Sequence, residues 1–273
     1  MSNILVTAAT GTVGSEVVKV LESKGHKVRA ASRQGEGNNK LDFTDPSTFA
    51  PALEGIERVY IVSPPGHANQ YELLKPFLSV LFATDSVKRI VTQTAQGVDA
   101  DDNIPFRKLE LAIEQSGKDY VHIRPTWFAQ NFHNFWQVGQ YQGFALPAGD
   151  AQVAFIDARD IALAAAAALS RDDIALNRGY ELTGPVALTH GEAASILSDV
   201  LGKTIAYQPI DDESFRQQLA PSGMPTDYIE LLVNLFVPVR AGYAAAVTGD
   251  VELLANQAPR ELADYARDFK HLL

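Results

Sequence analysis

The chain has 273 residues, 46% of them hydrophobic, and a formal net charge of −10 at pH 7, a size that can bury a large core in one α/β domain with a small appended lobe. Its acidity and scattered Lys and Arg oppose nonspecific nucleic-acid binding, which needs cations to displace phosphate counterions. Zero cysteines exclude disulfides, thiolate catalysis and Cys-ligated metals, and no window approaches the run of about 18 apolar residues that a membrane span requires.

Ile4 to Val6 read as a buried strand that runs into Thr7-Ala8-Ala9-Thr10-Gly11-Thr12-Val13-Gly14. Val13, Val17, Val18 and Leu21 then recur at helical spacing, which predicts a helix from Gly14 to Lys24 closed by Gly25. Such a strand, glycine-spaced turn and helix place backbone N–H groups and a helix N-terminus against a pyrophosphate. Thr7, Ala9, Thr10, Gly11, Thr12, Val13 and Gly14 are the expected cofactor contacts. Ala8 stands in the first glycine slot of the G-x-x-G-x-x-G spacing, small enough to leave room for the ligand.

Lys27 to Ser32 form the second expected strand, and the end of that strand selects the dinucleotide. An NAD site carries a carboxylate there for the ribose hydroxyl. This chain has Ser32-Arg33, a hydroxyl and a planar cationic fork suited to a 2′-phosphate, so NADP(H) is preferred over NAD(H). Further along, Leu41-Asp42-Phe43 reads as a short third strand end, followed by a helix started by Pro46. Arg58 to Val62, Arg89 to Thr94 and Tyr120 to Arg124 read as further strands, with helices at 71–82 and 106–115.

Alternation of this kind predicts a Rossmann-type, doubly wound parallel sheet with a small, mostly helical C-terminal lobe. The expected division is 1–178 for the dinucleotide-binding domain, with 126–152 also lining a substrate crevice, and 179–273 for the lobe. In an open sheet the ligand lies over the carboxyl ends of the strands. Asp42 and Phe43 are therefore expected near the adenine, Ser63, Pro64 and Pro65 near the middle of the cofactor, and Thr94 near the nicotinamide.

After Arg124-Pro125, which is expected to stop the strand, Trp127, Phe128, Asn131, Phe132, Phe135 and Trp136 follow at spacings that place several aromatics on one helical face. Core packing and a substrate wall both suit such a stripe. For a flat, apolar or cationic substrate, Trp127, Phe128, Asn131, Phe132 and Trp136 are the candidate binding residues. The alanine-rich run Ile161 to Leu169 reads as a helix packed closely on the sheet, Asp157 and Asp160 as its first-turn carboxylates, and Thr189 with Glu192 as a capping box. Six dispersed histidines lack metal-ligand spacing, so no metal site is expected. There is no G-x-S-x-G elbow for acyl transfer. With the first strand two residues from Met1 there is no room for a signal peptide, and a cytoplasmic location is expected.

These residues resemble the NmrA-like atypical short-chain dehydrogenases/reductases over nearly the whole chain. The resemblance rests on Ala8 to Gly14, Tyr60 to Pro65, Arg124 to Phe132, Phe155 to Ala162, Tyr180 to Pro185 with Leu188-Thr189, and Gly223-Met224-Pro225. The clavine dehydrogenase branch of ergot alkaloid biosynthesis is the one most similar in motifs. The resemblance implies a Rossmann core, a lobe closing over the crevice, and NADP(H). Typical short-chain dehydrogenases protonate a substrate oxyanion with a Tyr-x-x-x-Lys pair. No such pair occurs around Pro105 to Glu110, and Phe106 stands where relatives often carry Lys or His; Lys108, two positions on, faces away around the helix. The catalytic residues are left unassigned. Hydride addition to an iminium creates no alkoxide and dispenses with a proton donor; a quinone is intermediate, because its stabilised hydroquinone anion can take a proton from water, so a small-molecule reductase acting on an iminium, quinone or similar delocalised acceptor is expected. The alternative is a non-catalytic NADP(H)-sensing regulator, a role that also exists in the family.

Overall fold

The computed structural model describes residues 2–273. The chain divides into two compact units: Met1–Pro125, Ala158–Glu181 and Leu253–Asn256 in the first, and Thr126–Asp157, Leu182–Glu252 and Gln257–Leu273 in the second. The expected boundary after residue 178 is thus corrected, and 126–157 belongs wholly to the second unit. Phe132, Trp136, Phe144 and Phe155 of that segment are built into the second unit's core, so packing outranks chain order.

In the first unit the elements are β1 (Asn3–Val6), α1 (Gly14–Ser23), β2 (Lys27–Ala30), α2 (Phe49–Leu53), β3 (Arg58–Val62), α3 (Gln70–Ala83), β4 (Arg89–Gln93), α4 (Pro105–Glu114), β5 (Asp119–Pro125), α5 (Ala158–Ser170) and β6 (Arg178–Leu182). The sheet order is β2-β1-β3-β4-β5-β6, with β2 through β5 paired in parallel. Helices α1 and α5 pack on each other, with α5 also against β3, β4 and β5, while α2, α3 and α4 share a separate apolar cluster with Leu5, Ile61 and Ile90. This is the doubly wound arrangement, hydrophobic strands covered on both faces. The alanines of α5 are buried, as the absence of bulk allows a helix to approach α1 and the sheet closely.

One expectation fails here. Leu41-Asp42-Phe43 form no strand; the only pairing nearby is an isolated bridge between Ser32 and Lys40. Their alternation reflects Leu41 and Phe43 entering the apolar cluster while Asp42 accepts from the backbone N–H and hydroxyl of Thr44. Pro125 ends β5 as expected, as its last residue, with its carbonyl accepting from the Gln96 N–H at 3.0 Å. A proline has no donor to lose at a strand end.

The second unit carries two small sheets, Gly143–Leu146 with Ala206–Pro209 in parallel and Gln152–Val153 with Leu188–Thr189 antiparallel, among mostly short helices. The helix His190–Leu201 starts at the expected capping box of Thr189 and Glu192, and Asp211 caps Asp212–Leu219 by accepting from Ser214 N–H. Among the described residues no single helix is long and apolar enough to cross a membrane; one bent pair, Thr226–Arg240 with Tyr243–Ala255, passes on length and composition together.

Candidate functional site

The glycine turn in the first unit is tightly specified. Ala8 adopts a left-handed backbone with φ +48, the conformation for which glycine is the usual choice. Its carbonyl accepts from Gly11 N–H at 2.9 Å and closes the turn. A Cβ on Gly14 would lie 2.3 Å from that same oxygen and 2.9 Å from its carbon, so only glycine lets α1 begin so close to the turn. Val13 occupies the N-cap of α1 with no side-chain cap. Thr10, Gly11 and Thr12 are exposed at this end, while Ala9, Val13 and Gly14 are buried and shape it. A cradle in which a Cβ would collide with backbone, ahead of a ten-residue helix whose N-cap side chain cannot accept a hydrogen bond, fits a pyrophosphate. Thr7 has a different role from the one expected. It is fully buried, and its hydroxyl accepts from Val62 N–H at 3.1 Å, tying the ends of β1 and β3 together.

After β2 the chain makes a compact loop. Ser32 N–H donates to Asn39 and its carbonyl accepts from Leu41 N–H, both at 3.0 Å, which sets Lys40 beside Ser32 in an isolated bridge. Gly35 has backbone of Asn39 where a Cβ would be, at 2.1 Å. Arg33 and Lys40 are both exposed. Asp42 lies within the field of both: the backbone and hydroxyl bonds from Thr44 hold its carboxyl below the usual range, and Arg33 and Lys40 lower it further. Lys40 was not singled out from sequence, because its proximity to Arg33 depends on the loop folding back on Ser32. Phe43 packs edge-on against Phe77, with ring centroids 5.3 Å apart. At the end of β3, Ser63 donates to the Pro64 carbonyl, Ser63 and Pro64 keep partial exposure, and Pro65 is exposed.

Thr94 follows β4, nearly buried, and its hydroxyl donates to Glu110 Oε1 at 2.7 Å. Glu110 lies at the centre of a network that the sequence did not disclose. Arg124 grips its carboxylate with two bonds, Nε to Oε1 at 3.0 Å and Nη2 to Oε2 at 2.8 Å, and Arg107 Nη1 adds a third at 2.9 Å. Arg124 Nη1 also reaches Asp99 at 2.5 Å and Glu181 at 3.3 Å. Burial alone would push the fully buried Glu110 carboxyl up, but the Arg124 and Thr94 bonds bring it below its ordinary value. Glu181 goes the other way, to about 7, through burial and the neighbouring charges of Asp99 and Glu110, which outweigh the attraction of Arg124. His122 Nε2 lies 3.4 Å from Glu114, and burial depresses its pKa to about 4, leaving a neutral ring. Glu110, Glu114 and His122 stand close enough to be metal ligands, but Arg107 and Arg124 already hold the two carboxylates. We read the cluster as an ion-pair network.

Phe106, on α4, packs against the apolar cluster, while Lys108 is exposed. The chain does contain one Tyr-x-x-x-Lys, Tyr71 to Lys75, on α3. Lys75 Nζ lies over the Tyr71 ring, 5.6 Å from its centroid, and Tyr71 packs against the apolar cluster. The pair precedes the Pro105 to Glu110 region in the sequence, on a helix that packs against α4.

In the second unit the aromatic segment is mostly loop rather than a continuous helix. Only Asn131–Asn134 is helical, and Phe128 bridges to Ile156. Phe132 is fully buried, edge-on to Trp136 and Phe144, so it is core and has no surface for a substrate. Trp136 is almost as deep and stacks on Phe144. Trp127, Phe128 and Asn131 retain partial exposure, with Trp127 resting on Phe236 at 4.7 Å between centroids. Phe135, on the expected stripe, is exposed.

The model of the NmrA-like family matches residues 1–266. The chain is 29% identical to the NAD(P)H azoreductase of Xenophilus azovorans, covering 97% of this chain and 96% of that protein. It is 28% identical to agroclavine dehydrogenase of Claviceps fusiformis, covering 98% of each. Among solved structures, the Escherichia coli NADPH-dependent quinone oxidoreductase in complex with NADPH superposes with a TM-score of 0.79 at 22% identity, over 97% of this chain and 99% of that one.

Proposed function

The chain belongs to the NmrA-like family, and from that premise we propose that it is an NADPH-dependent reductase that passes hydride to a small, hydrophobic or aromatic, electron-poor acceptor such as an iminium or a quinone. The observation that carries the reading is the cradle at the start of α1, where Ala8 and Gly14 meet too closely for a side chain and the N-cap residue Val13 offers no capping side chain. Azoreduction, clavine oxidation-reduction and quinone reduction among proteins similar over the whole chain support redox chemistry on conjugated acceptors.

Bound at this site, NADPH would supply the hydride. The chain would hold its pyrophosphate through the turn at Thr10 to Thr12 and the dipole of α1, a partial positive charge facing the anion. Arg33, with Lys40 beside it, would take the 2′-phosphate by charge-assisted bonds and so select NADPH over NADH. Thr94 has its hydroxyl proton committed to Glu110, leaving the oxygen as an acceptor. Phe106 offers an apolar ring, not a proton, on α4. That suits acceptors whose reduced product is neutral or a stabilised anion, for which position supplies the catalysis. Trp127, Phe128 and Asn131, the accessible members of the aromatic segment, are the proposed acceptor contacts.

The test is NADPH absorbance with purified protein and a panel of iminium ions, quinones and azo dyes, joined to cofactor affinities for Arg33→Ala. Turnover with at least one conjugated acceptor is expected. Loss of Arg33 should weaken NADPH by about 10- to 100-fold, the value of one or two charged hydrogen bonds, and leave NADH nearly unchanged. Equal binding of both NADP(H) redox forms without turnover would replace the reductase by a nucleotide-sensing regulator.

A further inference from the structure

We infer that His190 is an acid-operated release built into the core of the second unit, where uptake of one proton drives that unit open. The histidine is the first residue of the helix His190–Leu201; it is fully buried, and neither of its ring nitrogens has a hydrogen-bond partner. Four aromatic rings enclose it. Tyr207 stacks on the imidazole at 5.4 Å between centroids, Phe155 and Trp136 stand edge to face at 5.3 and 5.8 Å, and Phe144 lies at 6.2 Å. A neutral imidazole is tolerated in such a box, because its single N–H can rest against a ring face. An imidazolium is not: it has two N–H groups and a full charge, and ring faces return only part of the hydration that a buried ion gives up.

No counter-charge stands beside the ring to receive that proton. Tyr207, on Ala206–Pro209, has its hydroxyl on the carbonyls of Leu146 and Gly149, and burial, with Asp150 adding to it, raises it to about 12, so it stays neutral. On the helix itself Glu192 is exposed and takes both the N–H and the hydroxyl of Thr189. On Leu262–Asp268, which packs against that helix, Tyr265 bonds His133, Asp264 pairs with Arg267, and Asp268 is exposed. Burial is the only cause acting on His190, and it depresses the ring to about 4. His122, the other deeply buried histidine, lies in the first unit and differs in having Glu114 3.4 Å from its Nε2. The folded His190 ring thus holds off a proton that the unfolded chain accepts near pH 6.5. Stability from this group is complete above about pH 6.5 and is lost as pH falls from there through about 4. The proton comes from solvent onto a ring nitrogen, with no other bond made or broken.

Both tryptophans of the chain, Trp127 and Trp136, belong to this unit, so their fluorescence during urea unfolding follows it in the full chain. Between about pH 7 and about pH 5 the unfolding constant of the wild type should rise about 20-fold more than that of His190→Phe, which keeps an aromatic ring and removes the titration. Equal rises in the two proteins overturn the release. Should the variant fail to fold, nitrogen NMR of the His190 imidazole in the wild type decides it. A ring still neutral in the folded protein at about pH 5 sustains the proposal, and a ring protonated there in the folded protein overturns it.

Discussion

Replacing Gly14 by alanine forces a choice between the helix and the turn that precedes it. The new Cβ would stand 2.3 Å from the Ala8 oxygen and 3.2 Å from the Ala9 Cα. The oxygen contact is about 1 Å inside ordinary van der Waals contact. All of the crowded atoms are backbone, so no side chain can swing aside. Overpacking of this kind costs about 1–3 kcal/mol, and the better helix propensity of alanine returns less than about 1 kcal/mol at a first-turn position. A net loss of about 1–2 kcal/mol is expected, which at roughly 2–4 °C per kcal/mol for a chain of this size lowers Tm by about 2–8 °C. Calorimetry measures that loss, and titration of NADPH by fluorescence should show weakening of at least about tenfold, because the turn and the helix end must separate. The complementary change, Ala8→Gly, removes a left-handed alanine that costs about 1–2 kcal/mol but frees the unfolded chain by about 0.4–1 kcal/mol. It should leave Tm equal or slightly raised. A Gly14→Ala protein with unchanged Tm and unchanged NADPH affinity would refute the argument that this contact sets the site.

The remaining predictions concern the network and the aromatic core. Glu181 has a folded pKa raised to about 7, so between its ordinary value and neutrality the native state holds a proton that the unfolded state has lost. Its contribution to stability is therefore full below about pH 4.5 and is lost as pH rises through about 7, a change of about 2–3 kcal/mol that urea unfolding across pH should show and Glu181→Gln should flatten. Phe132→Ala should destabilise by about 3–5 kcal/mol in the same assay, since it empties a fully buried ring site. Trp127→Ala should instead raise KM for the acceptor more than it lowers stability; a purely structural loss would assign Trp127 to the core.

The strands, the helices and the nucleotide turn were legible because each announces itself within a dozen residues. Ile4 to Val6 form an apolar run, Val13 to Leu21 repeat at helical spacing, and Gly14 is needed where backbones collide. Leu41 and Phe43 misled because two apolar residues flanking an aspartate look like a strand, whereas Asp42 is closing a turn on Thr44. The aromatic run misled in a related way. Its spacing suits a helix, yet a helix of only four residues forms, and loops bring Phe132 and Trp136 inward while Phe135 stays out. The Glu110 network was hidden for a different reason. Arg107, Glu110 and Glu114 have the spacing of a solvated helix face, and only the arrival of β5 beside α4, carrying Arg124, makes that face an interior one.

The loop that folds back on Ser32 has a consequence at the margin of the sheet. Because residues 41–43 add no strand, β2 is left as an outermost strand, the place where a sheet can recruit a foreign chain and begin to aggregate. This margin is guarded: it is four residues long, it carries Lys27 and Arg29, and Arg29 is anchored to the carbonyls of Ala52 and Glu54. Beyond it, Ser32 spends both its N–H and its carbonyl on its own loop. The same fold-back that sets Lys40 beside Ser32 therefore denies an incoming strand the polar groups of Ser32, just past the end of the edge strand.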